Sequence, residues 1–430
     1  MTNLGKMAGQ RRRQRQAANG IVLLFATVFV TRAQATGLFA PIGLDSATVM
    51  PKGVRTFRLA GFTTEVDNKF DGYGSIVPLA DSFNRPVTWA QLINSRPSAT
   101  ERGLLKGGLE AEGVSMGDVA GSSQGIVNAR INSLVPVFAW GISENITLGV
   151  GLPIVYASTH VDTGWSVAPA AQEKINDLMT KGYKGKLLSF KSMLQNVVTT
   201  QIANDGYQPL QDESHTDIGD LNIGMKIKVY SSELVNVAIA PKLVAPTGPT
   251  PDVNKVVDVR PGDGRWNAGV AAIADFNLTH RLTLSTSASY LYQFVSDQAV
   301  RVPREADLVL SPDIDPDVQV KRGDIMGASL GTHYHFNDHL EAGVGYSFQY
   351  KNPDSYEGGM YTPDRYGFLQ QDTYQVMQST IVSFTASTVA LYRAGIIPVP
   401  MDVTIAWSHV LSGSDVSLND MAIFELGAYF

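Results

Sequence analysis

The chain has 430 residues, with 34 lysine and arginine residues against 40 aspartate and glutamate residues, and it contains no cysteine. The lack of cysteine excludes a disulfide scaffold, a thiol nucleophile and a metal centre with thiolate ligands. A net charge of −6 without a basic patch argues against a nucleic-acid partner.

The N-terminal region has the pattern of a secretory signal peptide. An arginine-rich stretch at 11–15 precedes an apolar run at 21–30, and the Ala-Gln-Ala sequence at 33–35 matches a cleavage site. The apolar run is shorter than the ~20 residues that a helix needs to span a bilayer. We therefore predict a signal peptide at 1–35 and a mature chain at 36–430. Removal of the leader takes away six basic residues and no acidic residue, which moves the net charge from −6 to −12.

From about residue 127 onward, apolar and polar residues alternate with a period of two. In 146–157 (ITLGVGLPIVYA), Ile146, Leu148 and Val150 share one face, while Thr147 lies on the other. The alternation lasts ~10 residues per segment, which suits a tilted membrane strand better than the ~5–6 residues usual in soluble sheets. Bulky and aromatic residues on one face and charged residues on the other predict lipid outside and a wet lumen inside. The predicted strands lie near 54–65, 127–140, 146–157, 217–230, 235–246, 266–278, 282–294, 323–336, 340–351, 374–394, 401–411 and 421–430.

The connections between these strands alternate between short turns and long polar loops. The long loops are 160–216, 247–265, 296–321 and 352–373. Outer-membrane barrels join their strands by short periplasmic turns and long outer loops, and an even strand number leaves both termini in the periplasm. We therefore predict an all-β fold, an antiparallel transmembrane β-barrel in the lipid bilayer of the bacterial outer membrane. Its strand number is twelve, or fourteen if two more strands lie within 66–126, for example near 107–114.

The segment 158–216 is predicted to be a helical insertion in an outer loop. Helical patterns occur at 171–180 and at 186–203. The apolar face of the second pattern consists of Leu187, Phe190, Leu194 and Val197. This face either packs on the barrel rim or forms a lid over the entrance for a hydrophobic ligand.

The final segment, 421–430, alternates and ends on an aromatic residue. Phe424, Leu426 and Phe430 share one face. This pattern resembles the assembly signal of bacterial outer-membrane β-barrels, so we expect the outer-membrane assembly machinery as a partner. A soluble edge strand that ends on phenylalanine is the alternative.

The polar faces of the predicted strands supply candidate lumen and ligand-binding residues. These are Asp220, Lys226, Lys228, Lys242, His333, His335, Glu341 and Lys351. In an open channel such charges set selectivity, whereas in a narrow barrel they pair across the interior. A barrel of about twelve strands is intermediate between a filled and an open one, which favours a narrow path or a single-ligand site. The position of 36–52 before the first strand suggests a plug or strap inside the lumen.

No catalytic set, metal site or cofactor site is predicted. His333 and His335 share a strand face, but the sequence identifies no third ligand for a metal. Neither a Walker loop nor a dinucleotide-binding fingerprint is present. Serine and aspartate are plentiful, yet no motif joins them to a histidine as an outer-membrane lipase or protease requires.

Several motifs resemble a known family. They are Met-Pro-Lys-Gly-Val-Arg at 50–55, Asp-Ile-Gly-Asp-Leu-Asn-Ile-Gly-Met-Lys at 217–226, Lys-Leu-Val-Ala-Pro-Thr-Gly at 242–248 and the glycine-rich strand at 262–278. With these, the chain resembles the outer-membrane proteins grouped as "MetA-pathway of phenol degradation", distant relatives of the long-chain fatty-acid and aromatic-hydrocarbon transporters. The resemblance covers roughly 127–430. It implies a β-barrel that takes up hydrophobic or aromatic small molecules.

The sequence thus favours a non-enzymatic barrel for passive uptake or binding of a small hydrophobic or aromatic molecule. The molecule would be captured at the outer loops and would leave through the lumen or through a gap in the wall. One alternative is a structural or surface-interaction barrel without transport. A second alternative is an outer-membrane enzyme that acts on lipid, which requires a serine and a histidine within hydrogen-bond reach at the outer rim. The sequence does not predict the oligomeric state.

Overall fold

The structure, a computed structural model, describes residues 44–94, 98–181, 199–306 and 310–430. The predicted signal peptide and the predicted lid residues Leu187, Phe190, Leu194 and Val197 lie outside the described residues. The strands are, in chain order, β1 Arg55–Phe70, β2 Ile76–Pro78, β3 Arg85–Thr88, β4 Val119–Ser143, β5 Ile146–Gly151, β6 Ile154–Val167, β7 Glu213–Ile218, β8 Leu221–Ser231, β9 Val235–Ala245, β10 Asn267–Asn277, β11 Leu282–Gln293, β12 Ser296–Arg301, β13 Ile314–Lys321, β14 Ile325–His335, β15 Leu340–Lys351, β16 Ser355–Glu357, β17 Gln375–Ser387, β18 Met401–Ser414 and β19 Val416–Tyr429.

Fourteen of these segments form the twelve wall strands of a closed antiparallel barrel. The barrel closes because β1 pairs with β19 along one edge and with β4 along the other. Segments β5 and β6 form one wall strand, which is interrupted at 152–153, and β7 and β8 form the next, which is interrupted at 219–220. Pro153 has no N–H to donate to a ladder, which explains the first interruption. The predicted transmembrane β-barrel of twelve strands is confirmed.

Large apolar side chains cover the outer face of the wall. Leu330, Val344, Phe384 and Ile405 are each more than half exposed, which a water-facing surface does not tolerate over a continuous band. Aromatic residues flank this band at both ends, as at membrane interfaces. Near the periplasmic ends of the strands these are Phe57, Trp140, Tyr230, Phe276, Tyr334 and Phe336, and near the extracellular ends Tyr156, Trp266, Tyr290, Tyr292, Phe294 and Phe348.

A lysine at Val344 tests the lipid-facing surface. Val344 lies near the middle of β15 on the outer face, so Val344→Lys should lower the free energy of unfolding by ~2–4 kcal/mol. The matched control is Val229→Lys near the periplasmic end of β8, where the cost falls to ~0–1 kcal/mol. Urea or guanidinium titration of the barrel in lipid vesicles measures both. Equal costs at the two positions would contradict the assigned depth.

The helices lie outside the wall. They are α1 Trp89–Asn94, α2 Ala99–Ala111, α3 Pro169–Thr180, α4 Pro363–Gln370 and α5 Val389–Arg393. Residues 199–204 are also helical. Among the described residues, no helix combines the length and the apolar character needed to cross a membrane.

Two sequence predictions about these regions are wrong. The candidate extra strand near 107–114 belongs largely to α2, which Ser98 caps by accepting a hydrogen bond from the Glu101 N–H. Leu105 and Leu109, one helical turn apart, are its buried face, so the period is helical. The predicted strand 374–394 ends at Ser387, and the chain continues as the short periplasmic helix α5. The predicted helix at 171–180 is confirmed as α3.

The long outer connections fold into an extracellular extension. One part consists of α1, α2 and α3, which pack against the upper ends of β4 and β6 around Leu92, Leu105 and Leu178. The other part is a three-stranded sheet, β12-β13-β16, which α4 covers around Tyr356 and Tyr366. The predicted insertion 158–216 therefore contains the upper part of β6, the helix α3 and the first residues of β7.

Candidate functional site

One side of the barrel interior is apolar. Because side chains alternate along a strand, every second residue of β1, β4, β17 and β19 points inward. We call their contiguous apolar surface the apolar track. It consists of Phe62, Val66, Val127, Ala129, Ile131, Ile381, Met421 and Ile423, all buried in one cluster. The same cluster extends into the extracellular extension through Ile202, Tyr207, Val256, Val257 and Val259.

The apolar track differs from the wet lumen that the alternation predicts. On β19, Met421 and Ile423 point inward while Ala422 and Phe424 point outward, so both faces of this strand are apolar. The prediction of a polar interior is therefore wrong for this side of the barrel. The signal was present in the sequence as an unbroken apolar run at 421–424.

The opposite side of the interior is polar. Its inward residues are Lys226, Lys242, Asp275, Ser285, Ser287 and His333 on β8 to β14. Asp275 accepts a hydrogen bond from Ser285 Oγ at 2.8 Å, and Ser287 and Ser329 are hydrogen-bonded at 2.7 Å. The inward faces of the barrel thus divide into an apolar side and a polar side, and both sides are largely buried.

Residues 44–52, which we call the N-terminal segment, lie inside the lumen along the polar side. Asp275 accepts hydrogen bonds from Ala47 N–H and from Ser46 Oγ, both at 2.9 Å. Lys226 Nζ donates to the Ser46 carbonyl at 2.6 Å, and Met50 N–H donates to Thr147 Oγ1 at 2.8 Å. Since Thr147 and Asp275 are close to periplasmic turns, the segment occupies the periplasmic half of the lumen. This agrees with the plug suggested for 36–52, as far as its residues are described.

Leu44 anchors the upper end of the N-terminal segment in a notch of three glycines. A Cβ atom would lie 2.7 Å from a Leu44 methyl carbon at Gly331 or Gly343, and 2.5 Å at Gly345. A side chain at any of these three positions would displace Leu44. Glycine weakens a strand, and here it makes room for the close approach of Leu44. Leu44 is also a member of the cluster that contains the apolar track. The track therefore ends at the N-terminal segment.

The predicted lumen residues fall into two groups. Lys226 and Lys242 lie beside the N-terminal segment, where both interact electrostatically with Asp45. Lys228 is the next inward residue of β8 toward the periplasm and is half-buried.

Glu341 joins the two predicted histidines near the periplasmic end of β14. Its carboxylate contacts His333 Nδ1 at 2.8 Å and His335 Nδ1 at 3.1 Å. Within the described parts of the chain, no three histidine or acidic side chains are arranged to hold a metal ion.

Asp220 and Lys351 form the second group, at the outer rim. Asp220 accepts hydrogen bonds from the N–H groups of Gly248 at 2.9 Å and Asp263 at 3.1 Å. Lys351 contacts the carboxylate of Asp354 and donates to the Thr373 carbonyl at 2.8 Å. Both residues connect the wall to the extracellular extension, at a distance from the N-terminal segment.

A buried ion cluster at the periplasmic end was not identified from the sequence. Arg58 on β1 contacts Glu425 Oε1 at 2.8 Å and also pairs with the carboxylate of Asp402. Gly427 makes room for it, since a Cβ atom there would lie 2.6 Å from Asp402 Oδ1. Alternation along 421–430 already placed Glu425 inward, but its partners follow only from the closure of the barrel.

Two histidines near the outer rim, His160 and His215, contact acidic side chains. His160 Nδ1 lies 2.8 Å from Asp212, and His215 Nε2 lies 3.4 Å from Asp217. The hydrogen bond to Asp212 raises the pKa of His160.

Comparisons with known proteins agree with this architecture. A family model described as "Putative MetA-pathway of phenol degradation" matches residues 117–374, more than half of the chain. The search of curated proteins found no match. An outer-membrane channel from Pseudomonas putida F1 superposes with a TM-score of 0.51 at 10% sequence identity, over 90% of this chain and 98% of that one.

Two further solved structures are similar at lower TM-scores. They are the toluene transporter TbuX from Ralstonia pickettii (TM-score 0.34, 13% identity, 89% of this chain and 90% of that one) and the monoaromatic hydrocarbon channel CymD (TM-score 0.35, 11% identity, 96% and 98%). The Pseudomonas putida channel and this chain share a fold, that of an outer-membrane β-barrel.

Proposed function

The chain belongs to the MetA-pathway of phenol degradation family, and from this premise we propose that the barrel takes up a small hydrophobic or aromatic molecule across the outer membrane. The apolar track is the observation that carries the proposal. A water-filled pore for polar solutes has no use for a continuous apolar surface inside the barrel, whereas an apolar solute gains ~25 cal/mol for each Å² of surface that it buries there.

The uptake would be passive and would begin at the extracellular extension. Val256, Val257 and Tyr207 belong to the same buried apolar cluster as the track, so a ligand that enters there would have to displace packed side chains, all of which are apolar. Its descent ends at Leu44 and the N-terminal segment. The family description names phenol degradation, which makes a monoaromatic compound the first ligand to test.

Uptake by whole cells tests the proposal, because the lipopolysaccharide leaflet is the barrier that a hydrophobic solute has to cross. Cells with and without the protein would be given radiolabelled toluene or, as a polar solute of similar size, radiolabelled arabinose. We expect cells with the protein to accumulate toluene faster than cells without it, and to accumulate arabinose at the same rate. Equal acceleration of both solutes would indicate an unselective wet pore, and acceleration of neither would favour a structural or surface-interaction barrel.

We also propose that the last strand is recognised by the outer-membrane assembly machinery. Phe424 and Phe430 are exposed, and Phe430 exchanges two backbone hydrogen bonds with Arg55 at 2.8 and 2.9 Å. Phe430→Ser should reduce the amount of folded barrel in the outer membrane, measured by heat-modifiable mobility on gels. Phe336→Ser, which removes another exposed aromatic residue at the periplasmic end, is the control and should assemble normally. Equal losses in both variants would point to a general effect of interfacial aromatics.

A further inference from the structure

A cluster of buried charges lies where the barrel rim meets the extracellular extension. Its cations are Arg265, Arg322 and Lys351, which we call the cation cluster, and each is at least 95% buried. Its carboxylates are Asp263 and Asp354. These residues come from the start of β10, the connection between β13 and β14, the top of β15 and the residue before β16. Neither the proposed uptake nor the family assigns them a role.

Arg265 has a donor without a partner. Its Nε donates to Asp263 Oδ1 at 2.9 Å, and its Nη1 donates to the Val320 carbonyl at 3.3 Å. The remaining nitrogen, Nη2, is buried and has no hydrogen-bond acceptor among the described residues. The side chain is fully buried. A buried donor of a charged group that lacks an acceptor is costly, so this nitrogen points to an acceptor beyond the protein atoms.

Arg322 shows the same feature, two residues after Val320, whose carbonyl accepts the hydrogen bond from Arg265. Its Nη1 donates to Asp354 Oδ2 at 2.8 Å and contacts the Tyr356 hydroxyl at 3.0 Å, while its buried Nε has no acceptor among the described residues. Arg265 and Arg322 repel each other electrostatically, and both interact with Tyr356 and Asp354. Lys351 Nζ is fully engaged by Asp354 and by the Thr373 carbonyl. The two unpaired donors therefore belong to the two arginines.

The charges of the cluster do not balance. Three cations share two carboxylates, and the neighbouring acids are otherwise engaged. Asp220 is held by the N–H groups of Gly248 and Asp263, and the charged group that acts most strongly on it is Asp263. Asp324 forms a separate pair with Lys321 at 2.5 Å. Burying an uncompensated charge costs several kcal/mol, which a negative ion would relieve.

We propose that a small monovalent anion, chloride in the natural medium, binds between Arg265 and Arg322 and fastens the extracellular extension to the barrel rim. The anion accepts hydrogen bonds from Arg265 Nη2 and Arg322 Nε and neutralises the third cation. The site selects a small ion because every group around it is buried. A divalent anion would reverse the imbalance instead of removing it.

Bromide in crystals of the full-length protein tests the site directly, since bromide replaces chloride and scatters anomalously. Crystals grown in sodium bromide should show an anomalous peak in contact with Arg265 Nη2 or Arg322 Nε. Ordered density there without an anomalous signal would identify a water molecule and overturn the proposal. An empty position would overturn it as well.

A solution experiment tests the same proposal without crystals. By linkage, chloride that binds only the folded protein should lower the equilibrium constant for unfolding by a factor of 1 + [chloride]/Kd, about elevenfold at a chloride concentration of ten times Kd. The reference is gluconate, a larger organic anion, at equal ionic strength. Arg265→Gln removes one cation of the cluster and should abolish the difference in stability between chloride and gluconate. The control, Arg304→Gln, removes an exposed arginine paired with Asp313 and should retain it.

Equal equilibrium constants for unfolding of the wild-type protein in chloride and gluconate would overturn the proposal, and this result does not depend on whether Arg265→Gln folds. A chloride effect of the same size in wild-type protein and in Arg265→Gln would also overturn it, because the effect would then arise elsewhere. Loss of the effect in Arg265→Gln alone would support the site. None of these results depends on the transported molecule.

Discussion

Deletion of residues 44–50 is expected to convert a closed barrel into a conducting one. These residues occupy the periplasmic half of the lumen, and removing them leaves the inward faces of β5, β8, β10 and β14 to water. The barrel should remain folded, because the hydrogen bonds lost contribute only about 0.5–1.5 kcal/mol each and water can replace them. Single-channel recording in planar bilayers measures the change, with heat-modifiable gel mobility as the test of folding.

Two controls make this deletion interpretable. Ser46→Ala removes one hydrogen bond to Asp275 and keeps the backbone contacts of Ala47 with Asp275 and of Ser46 with Lys226, so its conductance should resemble that of the wild-type protein. Gly345→Val places side-chain carbon where Leu44 now sits and should raise the conductance in part. A folded deletion variant that conducts no better than the wild-type protein would mean that the N-terminal segment does not close the lumen.

The second large effect is expected from a charge on the apolar track. Met421 is an inward, buried residue of β19 that belongs to the track, and Met421→Arg would place a charged guanidinium among the apolar side chains that an apolar solute has to pass. A penalty of only ~1.4 kcal/mol at this step slows passage about tenfold, so toluene uptake by cells should fall at least about tenfold. Radiolabel accumulation, normalised to folded protein in the outer membrane, gives the result.

Met421→Leu is the matched variant, since it keeps an apolar side chain of similar volume and should retain uptake. Arabinose uptake should not fall in either variant. Unchanged toluene uptake in a correctly folded Met421→Arg protein would remove the apolar track as the route and leave a path through a gap in the wall. Combined loss of uptake and of folding would be uninformative about the route, and the Val66→Ser variant, which is polar but uncharged, then takes its place.

Local patterns predicted most of the wall and some of the extension. The alternation at 282–294 and 340–351 corresponds closely to β11 and β15, because two-residue periodicity reports directly which face meets lipid. The helix α3 was readable from its 3.6-residue period. By contrast, β4 extends well beyond the predicted 127–140. Its upper part pairs with β6 above the membrane, where no lipid enforces the alternation, so the sequence pattern does not reveal it.

The candidate site likewise has a part that local patterns predicted and a part that they did not. Lys226, Lys242, His333 and Glu341 were identified as inward residues from their strand faces alone. Their neighbours were not, because a contact across the lumen depends on strand register and on the path of a segment without periodicity. The apolar track was missed since a strand with two apolar faces was interpreted as facing lipid on one side and water on the other.

Local patterns along the chain are enough to specify an antiparallel β-barrel and to show which residues of most strands face lipid, since both follow from interactions between near neighbours in the chain. The contacts inside the barrel, by contrast, follow only from the folded chain. Closure brings Arg58 to Asp402, 344 residues away, and the N-terminal segment reaches Asp275, 228 residues from Ala47. Such contacts depend on the register of every intervening strand, because a slip of one residue turns each inward side chain outward. No local pattern in the chain carries that information.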